Sequence, residues 1–332
     1  MKIEVFVSNK MSDAFSSQAD TEMNGALDMA LQKARPFVNA ATSIGTRRVY
    51  ASSWKSWSDW ASLHRTAAIP ANPEAVAAYL AALARAGKSL SSINIALSAI
   101  QREHRVHGLN LDRKGPTISD VLSGIARTVS KPIDRAAALD LHSLKRLVAS
   151  LDGTDLRSLR DKALILVGFF GALRRSEITS LEFNGRSMLA ISDRGLLLKL
   201  SGTKASLKSE EVAIPRRSDD LCPTAALERY LCAAALSSGP LFRAISKSGR
   251  LTNKPLDSTS IRHILARRIN DCGLEGARFS PHSLRAGFIT AAANANVPEH
   301  LIQRTSRHKS VDILRSYIRM ADAFDDNAAN YF

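Results

Sequence analysis

The sequence predicts a mainly α-helical protein of two domains, with a small antiparallel β-sheet in the second. Its 332 residues exceed one ordinary domain and suit two. Most segments repeat apolar residues at helical spacing, and several begin at good capping residues. Three short segments between 188 and 215 instead alternate in the manner of strands. With 45% hydrophobic residues, the chain can form a core in each domain.

A first, all-helical domain is predicted over residues 41–129, after an N-terminal extension over 1–40. Trp54, Trp57 and Trp60 are spaced by three residues and share a broad helical face. Core packing explains them best; stacking on exposed bases is the functional alternative, which duplex binding does not require. The predicted helices cover residues 20–34, 46–63, 73–86, 89–107 and 121–129.

The clearest helix start in this domain is Asn72-Pro73-Glu74. Asparagine caps a helix, proline suits its first turn, and glutamate complements the helix dipole. Gly87 marks the end of the same helix, because glycine tolerates the left-handed conformation that follows many helices.

A linker over residues 130–137 separates the two domains, because Lys131-Pro132 interrupts the helical pattern. The second domain is predicted over 138–320 and a C-terminal tail over 321–332. Asp140 begins the first helix of this domain, and residues 159–173 form a strongly apolar one. Strands are predicted at 188–192, 195–200 and 210–215, with Thr203-Lys204-Ala205 at a turn. Further helices are predicted at 223–236, 259–272, 281–294, 298–306 and 311–320.

The charge of the chain indicates a polyanionic partner. The formal net charge is +15, and both halves are basic, with 15 Lys and Arg against 10 Asp and Glu in residues 1–130 and 31 against 21 in the remainder. DNA, RNA and an anionic membrane surface all fit this charge. The membrane is disfavoured, because the longest apolar run, 163–173, has eleven residues and a spanning helix needs about 20. The N-terminus also lacks the apolar stretch of a signal peptide.

The three cysteines, Cys222, Cys232 and Cys272, are scattered and form no C-x-x-C pair. This spacing predicts neither a disulfide framework nor a zinc site. We expect small buried hydrophobic residues in the reducing cytosol.

Arg174 and Glu177 lie three residues apart at the end of the apolar helix. An ordinary surface ion pair would contribute little. Because Arg174 directly follows an apolar run, however, its guanidinium is expected low in a cleft, where it suits bidentate phosphate binding.

Two further motifs carry candidate chemistry. Ser280-Pro281 predicts a helix start that directs His282 and Arg285 to one face of the N-terminus, an end that attracts anions. Alone, His-x-x-Arg is a weak signal. Near the end of the chain His308 precedes Tyr317 by nine residues, although a tyrosine in a late helix is ordinarily half-buried structure.

Taken together and in this order, these residues resemble the tyrosine recombinase (phage integrase) family. The resemblance covers residues 138–320, and the helical first domain looks like the family's core-binding domain; size and layout resemble Cre-type and Xer-type enzymes. By resemblance the fold is a two-domain C-shaped DNA clamp. The implied catalytic residues are Arg174, Lys204, His282, Arg285, His308 and the nucleophile Tyr317, with Glu177 in support. Rival assignments are Arg175 for the first arginine and Lys199 or Lys208 for the lysine.

The family resemblance implies a reaction that needs no metal, cofactor or ATP. Arg174 and Arg285 would neutralise the phosphodiester and hold the charge that builds on its oxygens. His282 would take the proton of Tyr317, and Lys204 would protonate the leaving 5′-hydroxyl. His308 would donate a hydrogen bond to the phosphate, and Glu177 would orient His282 or Arg174.

The implied partner is double-stranded DNA with inverted-repeat half-sites. Its strands would be cleaved and rejoined through a 3′-phosphotyrosyl intermediate and a Holliday junction. A homodimer would bind each site, and a homotetramer would form at synapsis, in the cytoplasm on DNA. The apolar tail residues, Ala323, Phe324, Ala328, Tyr331 and Phe332, predict a helix that docks on a neighbouring protomer; a frayed terminus is the alternative.

Candidate DNA contacts are arginines and lysines at helix ends and in the linker, although charged helix ends are usually only solvated. Arg307 is added because it replaces the glycine that many family members have before the histidine. The full set is Arg47, Arg48, Arg102, Arg105, Arg127, Lys131, Arg135 and Arg307.

Two alternatives to a recombinase remain. A type IB topoisomerase or telomere resolvase would use similar residues with a different outcome. A DNA-binding protein that kept the fold and lost catalysis belongs to a different class, and covalent capture of DNA separates it from an enzyme.

Overall fold

The computed structural model describes residues 42–128, 137–184, 189–200, 209–274 and 279–308, with four single positions before residue 42. The chain divides into two compact units, Met1–Ile133 and Asp134–Phe332. The boundary falls inside the stretch predicted as a linker. The predicted segments 20–34, 130–137 and 311–320 lie wholly or largely outside the described residues, as do Lys131, Arg135, Lys204, Lys208 and Tyr317.

The described part of the first unit contains four helices: α1 (Ile44–Leu63), α2 (Pro73–Arg85), α3 (Leu90–Val106) and α4 (Pro116–Thr128). The predicted start of α2 is confirmed, because the Asn72 side chain accepts a hydrogen bond of 2.8 Å from the Glu74 N–H. Helix α4 begins five residues earlier than predicted, at Pro116, which suits a first turn.

A tryptophan at the centre of this helical unit confirms core packing as the role of the tryptophan face. Trp57 is fully buried, its ring lies 5.7 Å from that of Trp60, and it meets the edge of Tyr79. The indole N–H donates to the carbonyl oxygen of Ala68 at 3.0 Å, which satisfies the one polar atom of the ring. His104 is also buried, and its Nε2 accepts from the N–H of Ala71 at 2.8 Å.

The second unit has one apolar helix at its centre. Helix α6 (Leu156–Phe170) has residues 163–167 fully buried and lies at the centre of the larger core. The other helices here are α5 (Leu141–Ala149), α7 (Arg175–Ser180), α8 (Pro223–Ala233), α9 (Ser258–Asp271), α10 (Pro281–Asn294) and α11 (Glu299–Ser306).

A three-stranded antiparallel sheet flanks this core, as the alternating segments predicted. Its strands are β2 (Leu189–Ser192), β3 (Gly195–Leu200) and β4 (Glu210–Pro215), in the order β2-β3-β4. Leu198 lies opposite both Leu189 and Val212, so the inward face is apolar. The predicted fold class, mainly helical with a small antiparallel sheet, is therefore confirmed.

The prediction missed two short pairs of strands and one helix. The pairs join β1 (Glu182–Phe183) to β5 (Gly239–Pro240) and β6 (Arg243–Ile245) to β7 (Leu251–Pro255). Segments of two to five residues are too short for a periodicity to be visible. Helix α7 was missed for the same reason, because it has six residues.

A buried carboxylate anchors α6 to its neighbours. Asp161 is fully buried, and its oxygens accept from Arg160 at 2.6 Å, from Arg268 at 2.8 Å and from Arg267 at 3.1 Å. Since both oxygens are bonded, the burial of this charge is compensated. The cluster joins α6 to α9.

The cysteines only partly match the expectation of burial. Cys222 is buried, whereas Cys232 is exposed and Cys272 is intermediate; all three are free thiols. Cys232 follows the last buried turn of α8, so its side chain faces solvent. Within the ranges given above, no helix is long and apolar enough to cross a membrane.

Candidate active site

The turn between α6 and α7 carries the first predicted site residue. Ala172 adopts a left-handed conformation with φ 45°, which ends α6 abruptly and reverses the chain. Arg174 then caps α7: its N–H donates to Glu177 Oε2 at 2.7 Å, and its guanidinium Nη1 donates to Oε1 at 2.6 Å. The Arg174 side chain is 41% exposed, so part of the guanidinium faces solvent.

The N-terminus of α10 brings the second motif against that turn. The Ser280 hydroxyl accepts from the His282 N–H at 3.2 Å, which confirms the predicted cap. His282 is exposed, whereas Arg285 is 1% exposed and donates from Nη1 to the carbonyl oxygen of Ala172 at 2.7 Å. The helix thus delivers one exposed imidazole and one buried guanidinium.

A close approach of two backbones sets the position of α10. The Leu139 N–H donates to the carbonyl oxygen of Ser283 at 3.1 Å. One turn later, a Cβ on Gly287 would lie 2.1 Å from the carbonyl oxygen of Leu139. Only glycine allows this distance, so Gly287 lets α10 sit directly on the segment before α5.

Arg307 differs from the expectation of an exposed phosphate contact. It ends α11 in a left-handed conformation, with φ 56°, and its side chain is only 7% exposed. Its Nη2 donates to Glu177 Oε2 at 2.6 Å, and its Nη1 donates to the carbonyl oxygens of Gly171 and Thr305. The guanidinium is therefore directed inward, because Glu177 and the carbonyl oxygen beyond the end of α6 attract it.

His308 lies near the side chains of three arginines and a second histidine. Burial, followed by the charges of Arg285, Arg174, His282 and Arg307, lowers the pKa of His308 to about 4. The ring is therefore neutral near pH 7 and has one N–H to donate. Each of those four groups is close enough to His308 to act on its charge, so the structure brings both sequence motifs and the residue before His308 together.

The structure thus gathers five of the predicted catalytic and supporting residues: Arg174, Glu177, His282, Arg285 and His308. Glu177 was expected to orient His282 or Arg174, and it does bond Arg174. The positions of Lys204 and Tyr317 lie outside the described residues. Lys199, a rival of Lys204, is exposed on β3, and Arg175, the rival of Arg174, is exposed on α7.

The arrangement suits an anionic ligand with several oxygens. Two guanidiniums and two imidazoles lie near one another, and a phosphate accepts hydrogen bonds from all of these groups. In the ranges that the structure covers, no group of three or more His, Cys, Asp or Glu could hold a metal ion.

The predicted DNA contacts of the first unit lie at helix ends. Arg48, Arg105 and Arg127 are exposed, whereas Arg47 and Arg102 are half-buried. Arg102 donates to the Thr42 hydroxyl at 3.1 Å and lies over the Tyr50 ring. Arg102 therefore brings α3 against the start of α1.

Sequence reasoning missed three contributors to the site. Ser306 is fully buried, and its hydroxyl lies 2.9 Å from His308 Nδ1. Glu210 Oε2 on β4 lies 3.3 Å from Arg307 Nε. Ala172 offers only a carbonyl oxygen. Of these, Ser306 alone carried a local signal, a hydroxyl two residues before a candidate histidine.

Known proteins are similar to this chain over the part that carries these site residues. The model of the phage integrase family matches residues 138–323. An integrase/recombinase XerD homolog of Selenomonas ruminantium is 30% identical over 330 residues, which cover 97% of this chain and 94% of the relative. The Cre recombinase of Escherichia phage P1 is 24% identical over 305 residues, covering 85% and 86%. The solved Tn1549 transposon integrase, in complex with transposon right end DNA, shares the fold with a TM-score of 0.61 at 15% identity, covering 86% of this chain and 92% of that chain.

Proposed function

The chain belongs to the phage integrase family of DNA strand-transferring tyrosine recombinases, and on that premise we propose that it cleaves and rejoins DNA at specific sites through Tyr317. The observation that carries this proposal is the convergence of Arg174, Arg285, His282 and His308. Arg285 donates to the turn before Arg174, Arg174 donates to the carbonyl of the residue before His308, and the charges of Arg174, His282 and Arg285 all act on His308. These groups come from α7, α10 and the end of α11, and a structural core would not need to gather so much positive charge.

In the proposed reaction, the Tyr317 hydroxyl attacks the phosphorus of the scissile phosphodiester. A bond forms from the tyrosine oxygen to phosphorus, and the bond from phosphorus to the 5′-oxygen breaks. His282 takes the tyrosine proton, and Lys204 gives a proton to the leaving 5′-oxygen. The 3′-phosphotyrosyl bond conserves the energy of the phosphodiester, so a 5′-hydroxyl from another strand can reverse the step without ATP.

The remaining residues stabilise the charge that develops. Arg174 and Arg285 bind the non-bridging oxygens, and Glu177 orients the Arg174 guanidinium by accepting a hydrogen bond from it. Neutral His308 donates its N–H to the same phosphate. Removing one such donor typically costs about 10²–10³ in rate.

Double-stranded DNA is the proposed partner, and both basic units would contact it. The solved relative in complex with transposon DNA supports this partner. The exposed Arg48, Arg105 and Arg127 would contact phosphates, as would the linker residues Lys131 and Arg135. Exchange between two sites requires four protomers, so we propose dimers on inverted half-sites and a tetramer at synapsis.

The proposed docking of the tail has a candidate acceptor. A cavity of about 400 Å³ is lined by apolar side chains that include Phe169, Phe170, Phe288 and Leu301. The tail carries Phe324, Tyr331 and Phe332 to fill such a cavity on a neighbouring protomer. Deleting residues 324–332 should then abolish cooperative binding to paired half-sites; intact cooperativity would refute the docking.

The test of the proposed reaction uses the full chain, DNA fragments from its native locus, and EDTA in place of magnesium. Protein-linked DNA is isolated after denaturation, and the junctions are sequenced, with nicked suicide substrates to trap a transient intermediate. Adducts at one inverted-repeat site that vanish in Tyr317→Phe support the proposal. Relaxation of supercoils without site preference would indicate a topoisomerase, and hairpin ends a resolvase. Binding without any adduct would leave a non-catalytic DNA-binding protein.

A further inference from the structure

The residue before His308 has an unusual backbone. Arg307 adopts φ 56° and ψ 39°, a left-handed conformation that L-residues other than Gly, Asn and Asp rarely enter. Such a conformation persists only where surrounding contacts hold it. The side chain of Arg307 makes contacts of this kind.

Those contacts join three parts of the second unit. Nη2 binds Glu177 Oε2 at 2.6 Å on α7, and Nη1 binds the carbonyl oxygen of Gly171 at 3.3 Å beyond the end of α6. Nε lies 3.3 Å from Glu210 Oε2 on β4. Arginine alone among the side chains has a rigid fork that reaches several acceptors at once.

Arg307 also contacts Arg174 in two ways. The two guanidiniums share the Glu177 carboxylate, which binds Arg307 through Oε2 and Arg174 through Oε1. In addition, Arg174 Nη2 donates to the backbone carbonyl oxygen of Arg307 at 3.4 Å. The carboxylate lies between two like charges, and it therefore fixes the distance between them.

The next residue along the chain is His308, and its ring has a fixed contact of its own. Nδ1 lies 2.9 Å from the hydroxyl of the fully buried Ser306. Whichever of the two groups donates, this hydrogen bond favours one position for the ring proton. Ser306 and Arg307 thus hold His308 from the preceding two residues, one through the ring and one through the backbone.

We infer that Arg307 is a positioning residue, whose buried guanidinium binds Glu177 and Gly171 and thereby fixes the backbone that carries His308 beside Arg174. The inference rests on the proposed function, because Arg174 and His308 are proposed to donate hydrogen bonds to the phosphate. It replaces the phosphate contact expected of Arg307: at 7% exposure, this side chain uses its donors within the protein.

The experiment compares two arginine-to-lysine substitutions on one helix and its end. Arg307→Lys keeps the charge but loses the fork, whereas Arg304→Lys makes the same change at an exposed position of α11. Single-turnover formation of the covalent DNA adduct and the dissociation constant for the same DNA are measured for each. For Arg307→Lys we expect adduct formation to slow by about 10²-fold, the cost of a misplacement of about 1 Å. Affinity should change little, since lysine retains the charge that dominates phosphate binding.

A second readout does not depend on cleavage. In protein with ¹⁵N-labelled histidine, the His308 ring signal is assigned by its loss in His308→Asn. Wild type and Arg304→Lys should show a single ring tautomer, held by the Ser306 contact. Arg307→Gly, which accepts the left-handed backbone without strain, should show the tautomer mixture of a free imidazole.

Each outcome decides a separate point. If Arg307→Lys cleaves at the wild-type rate, or loses cleavage only in proportion to DNA affinity, Arg307 is not a positioning residue. If the wild type forms no adduct, the proposed function fails, and the His308 ring signal alone then tests the role of Arg307. An unchanged His308 signal in Arg307→Gly then overturns the inference.

Discussion

Arg285 is held against Ala172: the guanidinium Nη1 donates to the carbonyl oxygen of Ala172 at 2.7 Å, and both residues are buried. The carbonyl belongs to the left-handed turn that ends α6. One backbone oxygen therefore aims a proposed phosphate-binding arginine of α10 from the end of another helix.

The first prediction concerns this contact. Arg285→Lys keeps the charge, but a single ammonium cannot both bind the Ala172 carbonyl and present a planar pair of donors. We expect adduct formation to fall by about 10²–10³-fold, as for loss of an oxyanion donor. Arg175→Lys is the matched control, because Arg175 is exposed and was the rival for Arg174. A larger defect in Arg175→Lys than in Arg285→Lys would contradict the assignment.

Glu177 is predicted to be important for stability as well as for catalysis. Its carboxylate, with a side chain 10% exposed, bonds Arg174 and Arg307. Glu177→Gln leaves the two arginines without their shared negative charge, and we expect a loss of about 1.5–3 kcal/mol in the free energy of unfolding. Urea denaturation measures this loss. Glu211→Gln, which removes the same charge from an exposed position on β4, should change stability far less; equal losses would argue against the shared carboxylate.

The stability of the protein should decrease in mild acid because of His308. Burial and the neighbouring positive charges lower its pKa from 6.5 to about 4. The unfolded chain therefore binds this proton near pH 6.5, whereas the folded protein binds it only near pH 4. Between those values the unfolded state holds more protons, so the free energy of unfolding falls as the pH decreases.

Urea denaturation at a series of pH values checks this dependence. In His308→Asn the side chain does not titrate, so the decline between pH 6.5 and about 4 should be shallower than in wild type. Parallel curves for the two proteins would mean that His308 titrates normally.

The glycine of α10 gives a prediction with an internal control. A Cβ at Gly287 would lie 2.1 Å from the Leu139 carbonyl oxygen and 2.9 Å from Phe169 Cε2. Gly287→Ala must push α10 away, and overpacking of this kind costs about 1–3 kcal/mol. Because α10 carries His282 and Arg285, adduct formation should fall too.

Gly124→Ala is the control, because it lies in α4 with no atom within 4 Å of the added Cβ. Alanine there should raise the free energy of unfolding by about 0.4–1 kcal/mol. Thermal melts of the two variants should therefore move in opposite directions; shifts of the same sign would show that α10 can relax around the methyl group.

Local features of the chain were predictable where the cause is local. The caps Asn72 and Ser280 and the strand at 195–200 depend on neighbours within a few residues, and the structure has them where they were predicted. The two motifs that meet in the site were visible too, since their residue types and order are written in the chain. The missed strands β1, β5, β6 and β7 were too short to show a period.

By itself, the sequence determined the helical class, the basic charge and the order of Arg174, His282, Arg285 and His308. Only the tertiary structure decided how they are held. The carbonyl of Ala172 binds Arg285, and the inward fork of Arg307 shares Glu177 with Arg174. Ala172 and Arg285 lie 113 residues apart along the chain, and Glu177 and Arg307 lie 130 residues apart. A backbone oxygen also has no sequence signature. Whether an arginine faces solvent or protein depends on which acceptors the fold brings near it, and packing alone decides that.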